Sequence, residues 1–279
     1  MAACGPTLQL GRWIVEHRGG GLRLTGTFLR VGVMNEMQYR INFFLQLLQS
    51  LLTVGTGLII LAVVFSKTDD LGGWSRPQLL AVMGVFTLVG GIIRTFIQPN
   101  MQRVVEDVRQ GKLDHALTKP ADAQLLVSIR DVRFWQLTDV LVGVVVLIVA
   151  LVQMSSTTQW QHVVAFVALL LSGLVSIYCF WLMLASASFW LVRMNEVQEL
   201  FDGLFRAGQY PVGIYPGWLR YGLTFVIPLA FAITVPSEAV TGRLAWQSVV
   251  VMIAFTIVLL VVSRWCWKRG LRRYGGASS

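Results

Sequence analysis

Few side chains in this sequence could do chemistry, and their placement restricts what that chemistry could be. His17, His115 and His162 lie in a polar tail, a polar loop and the end of an apolar run, too far apart to read as a metal site. Cys4, Cys179 and Cys266 show neither CxxC nor metal-ligand spacing. They imply no zinc site and no disulfide framework, and read as small apolar fillers. No GxxxxGK[ST] is present, so the loop whose backbone amides cradle nucleotide phosphates is missing. GTGLIILA at 55–62 lies inside an apolar run and has no lysine. The expectation is a chain without catalytic residues, metal or cofactor of its own, and not an enzyme.

One charged residue stands out against this background. Arg94, in GGIIRTFIQP, lies inside an apolar run. An arginine at mid-membrane depth costs about 2.5–3.5 kcal/mol on insertion scales, so such residues are functional candidates. Yet Gln98-Pro99 follows closely, and a long side chain near a span end reaches the headgroups. Snorkelling, an interhelical ion pair and a substrate-facing role all remain open from sequence. Pro228, inside GLTFVIPLAFAITVP, removes a backbone donor and bends its helix, either as a packing kink or as pathway lining. The apolar runs otherwise carry almost no polar groups. That scarcity weighs against an ion-coupled carrier, which needs titratable or cation-ligating groups at depth.

The elements that must position these residues are membrane spans. The chain of 279 residues is 55% hydrophobic and only 13% charged, too few charges to coat a soluble globule. Ile41–Phe65 has no charge at all, the mark of a spanning helix. Six spans are expected, at about 41–65, 78–98, 138–152, 162–192, 219–235 and 246–263. The fourth would be about 46 Å long against a hydrocarbon core of about 30 Å, so it must tilt or run on. Residues 1–21 lack a long apolar core, so no cleavable signal is expected, and they read as a poorly ordered tail. Residues 22–40 read as an amphipathic interfacial helix. Ser172, Gly173, Ser176 and Ala185–Ser188 read as small residues for close helix packing. Residues 22–279 thus form one all-α membrane domain.

Orientation follows from charge. Of 23 Lys and Arg residues, only Lys67, Arg76 and Arg243 fall outside one face, with Arg94 inside a span. The basic face is the cytoplasmic one. Both termini are therefore cytoplasmic, and the net charge of +9 reads as a topology signal and contact with membrane lipids, not nucleic acid binding.

The loop 99–137 is the one substantial connection. Val104, Val105 and Val108 continue a helix outward, Gly111 ends it, and a short helix LDHALTK runs to Pro120. Leu125, Leu126, Ile129 and Val132 predict a second amphipathic helix. A short crosswise helix between two arms suits docking to a partner, although an ordinary solvated connection fits the composition too. Glu106, Arg109, Gly111, Leu113, Asp114, Leu117, Lys119 and Pro120 form the pattern ExxRxGxLDxxLxKP. With IPLAFAITVPSEAVTG further on, this pattern resembles permeases of the type-2 class of ABC exporters, the six-span bacterial inner-membrane subunits that work with a separate ATPase.

The resemblance implies an elbow helix at 22–40 and a coupling helix at about Leu113–Gln124. It implies two nucleotide-binding subunits per complex, which carry the ATP and Mg. It also implies a second permease, a copy or a sister chain, with the substrate path between the two. Carried over by span, the candidate lining is Met83, Phe86, Thr87, Arg94, Tyr221, Thr224, Phe225 and Pro228. Such an apolar, aromatic lining suits amphipathic or lipid-like cargo. An ion-coupled carrier and a non-transporting membrane scaffold are the competing readings.

Overall fold

A computed structural model describes residues 40–68, 70–113, 122–154, 160–190 and 201–274. All of these belong to the unit Tyr39–Ser279. The expected tail 1–21, nearly all of the expected elbow helix 22–40 and the expected short helix of the loop lie outside the described residues. Among the described residues the structure is helical, apart from one isolated bridge between Leu71 and Trp74. That is the outcome a membrane imposes, because backbone groups in hydrocarbon must be satisfied within their own segment.

Helix α1 spans Arg40–Phe65. Helix α2, Arg76–Ile92, continues through a π-helical turn, Ile93–Ile97, into α3, Gln98–Arg109. Its first turn holds a proline, and the Gln78 side chain accepts the Ser75 N–H at 3.1 Å. Helix α4 is short, Ala123–Ser128. A 3₁₀ turn at Phe134–Gln136 leads into α5, Leu137–Gln153. Helix α6 runs Trp160–Ala187. Helix α7, Gly217–Tyr221, extends as a π turn to Val226. A second π turn, Ala230–Thr234, opens α8, Val235–Val240. Helix α9 is Trp246–Leu271.

Among the described residues five helices are long and apolar enough to cross a membrane, and the bent pair Gly217–Val226 and Ala230–Val240 makes a sixth crossing if it counts as one. The protein is an all-α integral membrane protein. The fifth span expected over 219–235, with a bend at Pro228, is broken there: its two halves meet at 80°. The cause is Pro228. It offers no N–H to Thr224, and it forces Ile227 into an extended conformation with φ −113° and ψ 104°. The helix of the fourth span ends at Ala187, and the helix of the sixth runs on to Leu271, past the span end expected at 263. Basic residues suit the negative end of a helix, so Arg264, Lys268 and Arg269 do not stop it. The amphipathic helix expected from Leu125 to Val132 is also corrected. Its helix ends at Ser128, Leu125 is exposed, and Val127 is the buried anchor.

Helix α2 is the centre of the bundle. In its most apolar stretch 78% is buried, against 22–33% for the other four spans, which turn one side outward. Close approach to α5 makes this possible. A Cβ on Gly143 would sit 2.4 Å from the Leu88 nitrogen, and one on Gly84 would sit 2.8 Å from the Leu147 nitrogen. Small residues let membrane helices pack backbone to backbone. The same device joins α6 to its neighbours. Gly173 lies against the backbone of Phe231 and Ala232, and the Thr256 hydroxyl bonds Ser176 at 2.8 Å and Ser172 at 3.1 Å. On the opposite membrane face, Arg243 stacks 4.8 Å from the Trp74 ring and donates to Gln78 at 3.1 Å, tying the α1–α2 and α8–α9 connections together.

This packing sets an expected outcome. Gly143→Ala forces α2 and α5 apart and costs about 1–3 kcal/mol. Thermal unfolding of the detergent-extracted protein should show a lowered Tm for Gly143→Ala and an unchanged one for Gly217→Ala, whose Cβ meets open space.

Candidate functional site

One end of the bundle is built around the two arms of the 99–137 loop. The outgoing arm, α3, stops at Gly111, whose φ of +67° is a conformation few other residues adopt cheaply. The Lys112 N–H donates to the Asp107 carbonyl at 2.8 Å, and the Gly111 N–H to the Val108 carbonyl at 3.3 Å. These two bonds satisfy carbonyls that the helix end would leave open. Glu106 pairs within its own helix, accepting from Gln110 and lying 3.9 Å from Arg109. Leu113 follows fully buried, and its N–H donates to the Tyr274 hydroxyl at 3.2 Å. Asp114, Leu117, Lys119 and Pro120 lie outside the described residues.

The returning arm begins at Asp122, which caps α4 by accepting the Gln124 N–H at 3.0 Å. Arg264 of α9 grips the same carboxylate with both terminal nitrogens, one bond measuring 3.1 Å. Arg264 also donates to the Gln124 side chain. The Arg264 guanidinium holds the Asp122 carboxyl below the ordinary carboxylate range, with backbone N–H groups adding to the effect and partial burial opposing it. A depressed carboxylate pKa means this contact holds at neutral pH and weakens only as pH falls through the folded-state value. Tyr178 of α6 completes the grip, accepting from Gln124 at 3.2 Å and sharing a 2.7 Å bond with Ser128.

Asn100 then locks the two arms together. It is buried, and its side-chain oxygen accepts the N–H groups of Arg130 and Asp131, both at 2.8 Å. Its amide donates to the carbonyls of Phe96 and Asp131, both at 2.7 Å. Ion pairs at 2.9 Å, Arg103–Asp131 and Arg130–Asp107, run beside it. Segment 114–121 is therefore framed by two fixed ends, Leu113 and Asp122, and both are held by α9 or the residues just beyond it.

Arg94 lies in the π turn and makes an interhelical ion pair. Its Nε and Nη2 donate to Asp139 Oδ2 at 3.1 and 2.6 Å. Asp139 is buried, whereas the Arg94 side chain is 38% exposed. The other carboxylate oxygen accepts from Ser50, and from Gln46 at 3.5 Å. Gln46 also donates to Gln136 at 3.0 Å. One polar network thus joins α1, α2 and α5. Asp202, in the stretch before α7, is exposed at the surface; partial desolvation raises its carboxyl above the ordinary range, and Arg94, Arg206 and Gln98 oppose that shift. The expectation that the spans hold no buried acid is corrected by Asp139. It starts an apolar helix, so sequence shows it as an edge residue, and only the packing of α1 and α2 over it takes it out of water.

The remaining lining candidates fall into two groups. Met83, Phe86 and Thr87 sit on central α2, where Phe86 stacks on Phe205 at 5.0 Å and the Thr87 hydroxyl is spent on the Met83 carbonyl at 2.9 Å. Tyr221, Thr224 and Phe225 sit on α7. Tyr221 is 68% exposed, Phe225 packs edge-on to Phe255 at 5.6 Å, and the Thr224 hydroxyl bonds the Arg220 carbonyl at 2.7 Å. Pro228 is buried at the bend. The two groups pack against different elements, the 201–209 stretch for one and α9 for the other. Asn100, Asp122, Tyr178, Arg264 and Tyr274 were missed by sequence reasoning; their partners lie up to 161 positions away, as for Leu113 and Tyr274.

A family model described as "ABC-2 family transporter protein" matches residues 51–278. No curated protein and no solved structure matches the chain.

The ion pair generates a second expected outcome. Removing one partner of a buried pair costs about 3–5 kcal/mol, and less here because Arg94 reaches solvent. Asp139→Leu should lower the Tm of the purified protein. Arg94→Met combined with Asp139→Leu should recover most of the loss, and a double variant no better than the single would show that the pair is not the stabilising unit.

Proposed function

The chain belongs to the ABC-2 family of transporter proteins, and from that premise we propose that it is the permease subunit of an ATP-driven exporter in the bacterial cytoplasmic membrane. Two copies, or this chain and a sister, enclose the substrate path. Two separate ATPase subunits, which hold the ATP and Mg, dock on the 99–137 loop. Both termini face the cytoplasm. The exported cargo is amphipathic or lipid-like, in keeping with the apolar and aromatic character of Met83, Phe86, Tyr221 and Phe225.

The observation that supports this reading most is the framing of segment 114–121. Both flanks of that segment are anchored: Leu113 is held at Tyr274, Asp122 at Arg264, and the arms are cross-linked through Asn100. A load applied there passes into α2, α6 and α9 together. A loop that merely joined two spans would not need such bracing. Glu106 and Arg109, on the last turn of α3, would sit at the edge of the docking surface. The buried Asp139 does not revive an ion-coupled carrier, since both its oxygens are engaged.

Asp114→Lys and Leu117→Glu should reduce ATP-driven transport at least ten-fold in vesicles while the amount of inserted protein stays level. Leu113 is a poor test position, because it is fully buried and a charge there would unseat the loop end. Gentle extraction of the tagged chain should bring down a Walker-motif ATPase in a ratio of about one per permease. A stable chain that purifies alone, or normal transport by both loop variants, would favour a scaffold or secondary carrier instead. Phe225→Ser, on an exposed ring, should alter cargo transport without loss of assembly; unchanged transport would remove it from the path.

A further inference from the structure

Helix α9 carries its own depth gauge. Trp246 and Trp265 are both largely exposed, 71% and 59%. They are separated by about 28 Å along the helix at about 1.5 Å per residue, close to the hydrocarbon thickness of about 30 Å. Tryptophans favour the two membrane–water boundaries. Trp265 therefore marks the cytoplasmic boundary, and the turns that follow lie among the headgroups.

Those turns present one basic stripe. Val258, Val261 and Trp265 follow one another on the exposed side of α9, and Lys268, Arg269 and Arg272 continue the same side at helical spacing. Arg269 lies over the Trp265 ring at 5.4 Å. The opposite side, Ser263, Trp267 and Gly270, is buried in the bundle. No acidic residue occurs from 244 to 274 to neutralise the stripe. Because the cations extend an apolar, lipid-facing stripe at headgroup depth, their partner is a lipid and not a cytosolic protein.

We propose that Trp265, Lys268, Arg269 and Arg272 form a binding site for the phosphate of an anionic phospholipid headgroup on the cytoplasmic leaflet. The ring packs on the upper acyl chain and glycerol region, and the three cations surround the phosphate. The site has a consequence for the loop. Arg264, one position before Trp265, holds Asp122, and Tyr274 just beyond the helix holds Leu113. A headgroup gripping this end of α9 steadies both ends of segment 114–121. The inference goes beyond the transport reading and does not depend on it.

The test uses this chain alone, so its result is independent of any ATPase pairing. The full-length protein is purified with an equal mixture of phosphatidylglycerol and phosphatidylcholine, and retained lipids are counted by native mass spectrometry. Wild type should retain phosphatidylglycerol at least five-fold over phosphatidylcholine. K268Q/R269Q/R272Q should bring the ratio to parity, and the charge-matched control R109Q/K112Q/R133Q should leave it unchanged. In a second measurement, brominated phosphatidylglycerol should quench tryptophan fluorescence more than brominated phosphatidylcholine, and Trp265→Leu should abolish that difference. The proposal is overturned if the stripe variant retains phosphatidylglycerol like wild type, if the control loses it equally, or if inorganic phosphate raises the Tm as much as the lipid does. It is also overturned if the stripe variant keeps its lipid preference but loses a co-purifying protein.

Discussion

In hydrocarbon no hydrophobic force draws one apolar helix onto another, because lipid tails are as apolar as leucine. The contact between α2 and α5 has to be made by close packing and polar bonds, and the rest of the bundle depends on it. Gly84 and Gly143 remove side chains where the two backbones meet. Toward the loop end the Arg94–Asp139 pair closes the same interface, and Ser50 and Gln46 bring α1 onto it. Central burial of α2 follows, and with it the direction of the 34-residue rod Arg76–Arg109 that carries the loop out of the membrane.

That rod organises the loop end of the bundle. It begins buried in the bundle, passes through the π turn at Ile93–Ile97, and ends with carbonyls of its last turn bonded at Gly111 and Lys112. The return arm is bonded to it through the Asn100 side chain, which meets the backbone of Arg130 and Asp131, so the two arms are joined into one piece. The grip of Arg264 on Asp122 and of Tyr274 on Leu113 extends that piece to α9. For a member of the ABC-2 transporter family, this bracing is the feature on which the proposed docking of a separate ATPase rests.

The broken fifth crossing adds a different property. Its halves meet at a proline with extended backbone before it, and irregular backbone at depth is tolerated only where protein or a cavity covers it. Ile227, Pro228 and Leu229 are all buried. The exposed aromatic residues of α7 lie on one side of this break and the buried residues of α8 on the other. The bend therefore divides the segment into a half that meets lipid or a partner and a half that belongs to the core.

Much of this protein is determined by local sequence. Apolar runs of spanning length require helices, because no other single-segment structure satisfies its backbone in lipid. Gly111 ends α3, and Pro228 breaks the fifth crossing wherever that segment packs. The ExxRxGxLDxxLxKP pattern points to the family because its spacing lies within one loop. What only the tertiary structure decided is which polar residues meet. Arg94 had three open roles, and the packing of α5 against α2 selects the ion pair by bringing Asp139 within 2.6 Å. Leu125 and Ile129 look like anchors by periodicity, but the return arm is bound at Asn100 and Asp131, which ends α4 early and turns Val127 inward. Asp122 and Arg264 lie 142 positions apart, and nothing in either neighbourhood names the other. Helix formation depends on neighbours three and four residues away, which a sequence displays. The pairing of charges at the bundle end depends on which helices lie side by side, and that is settled by packing of whole faces.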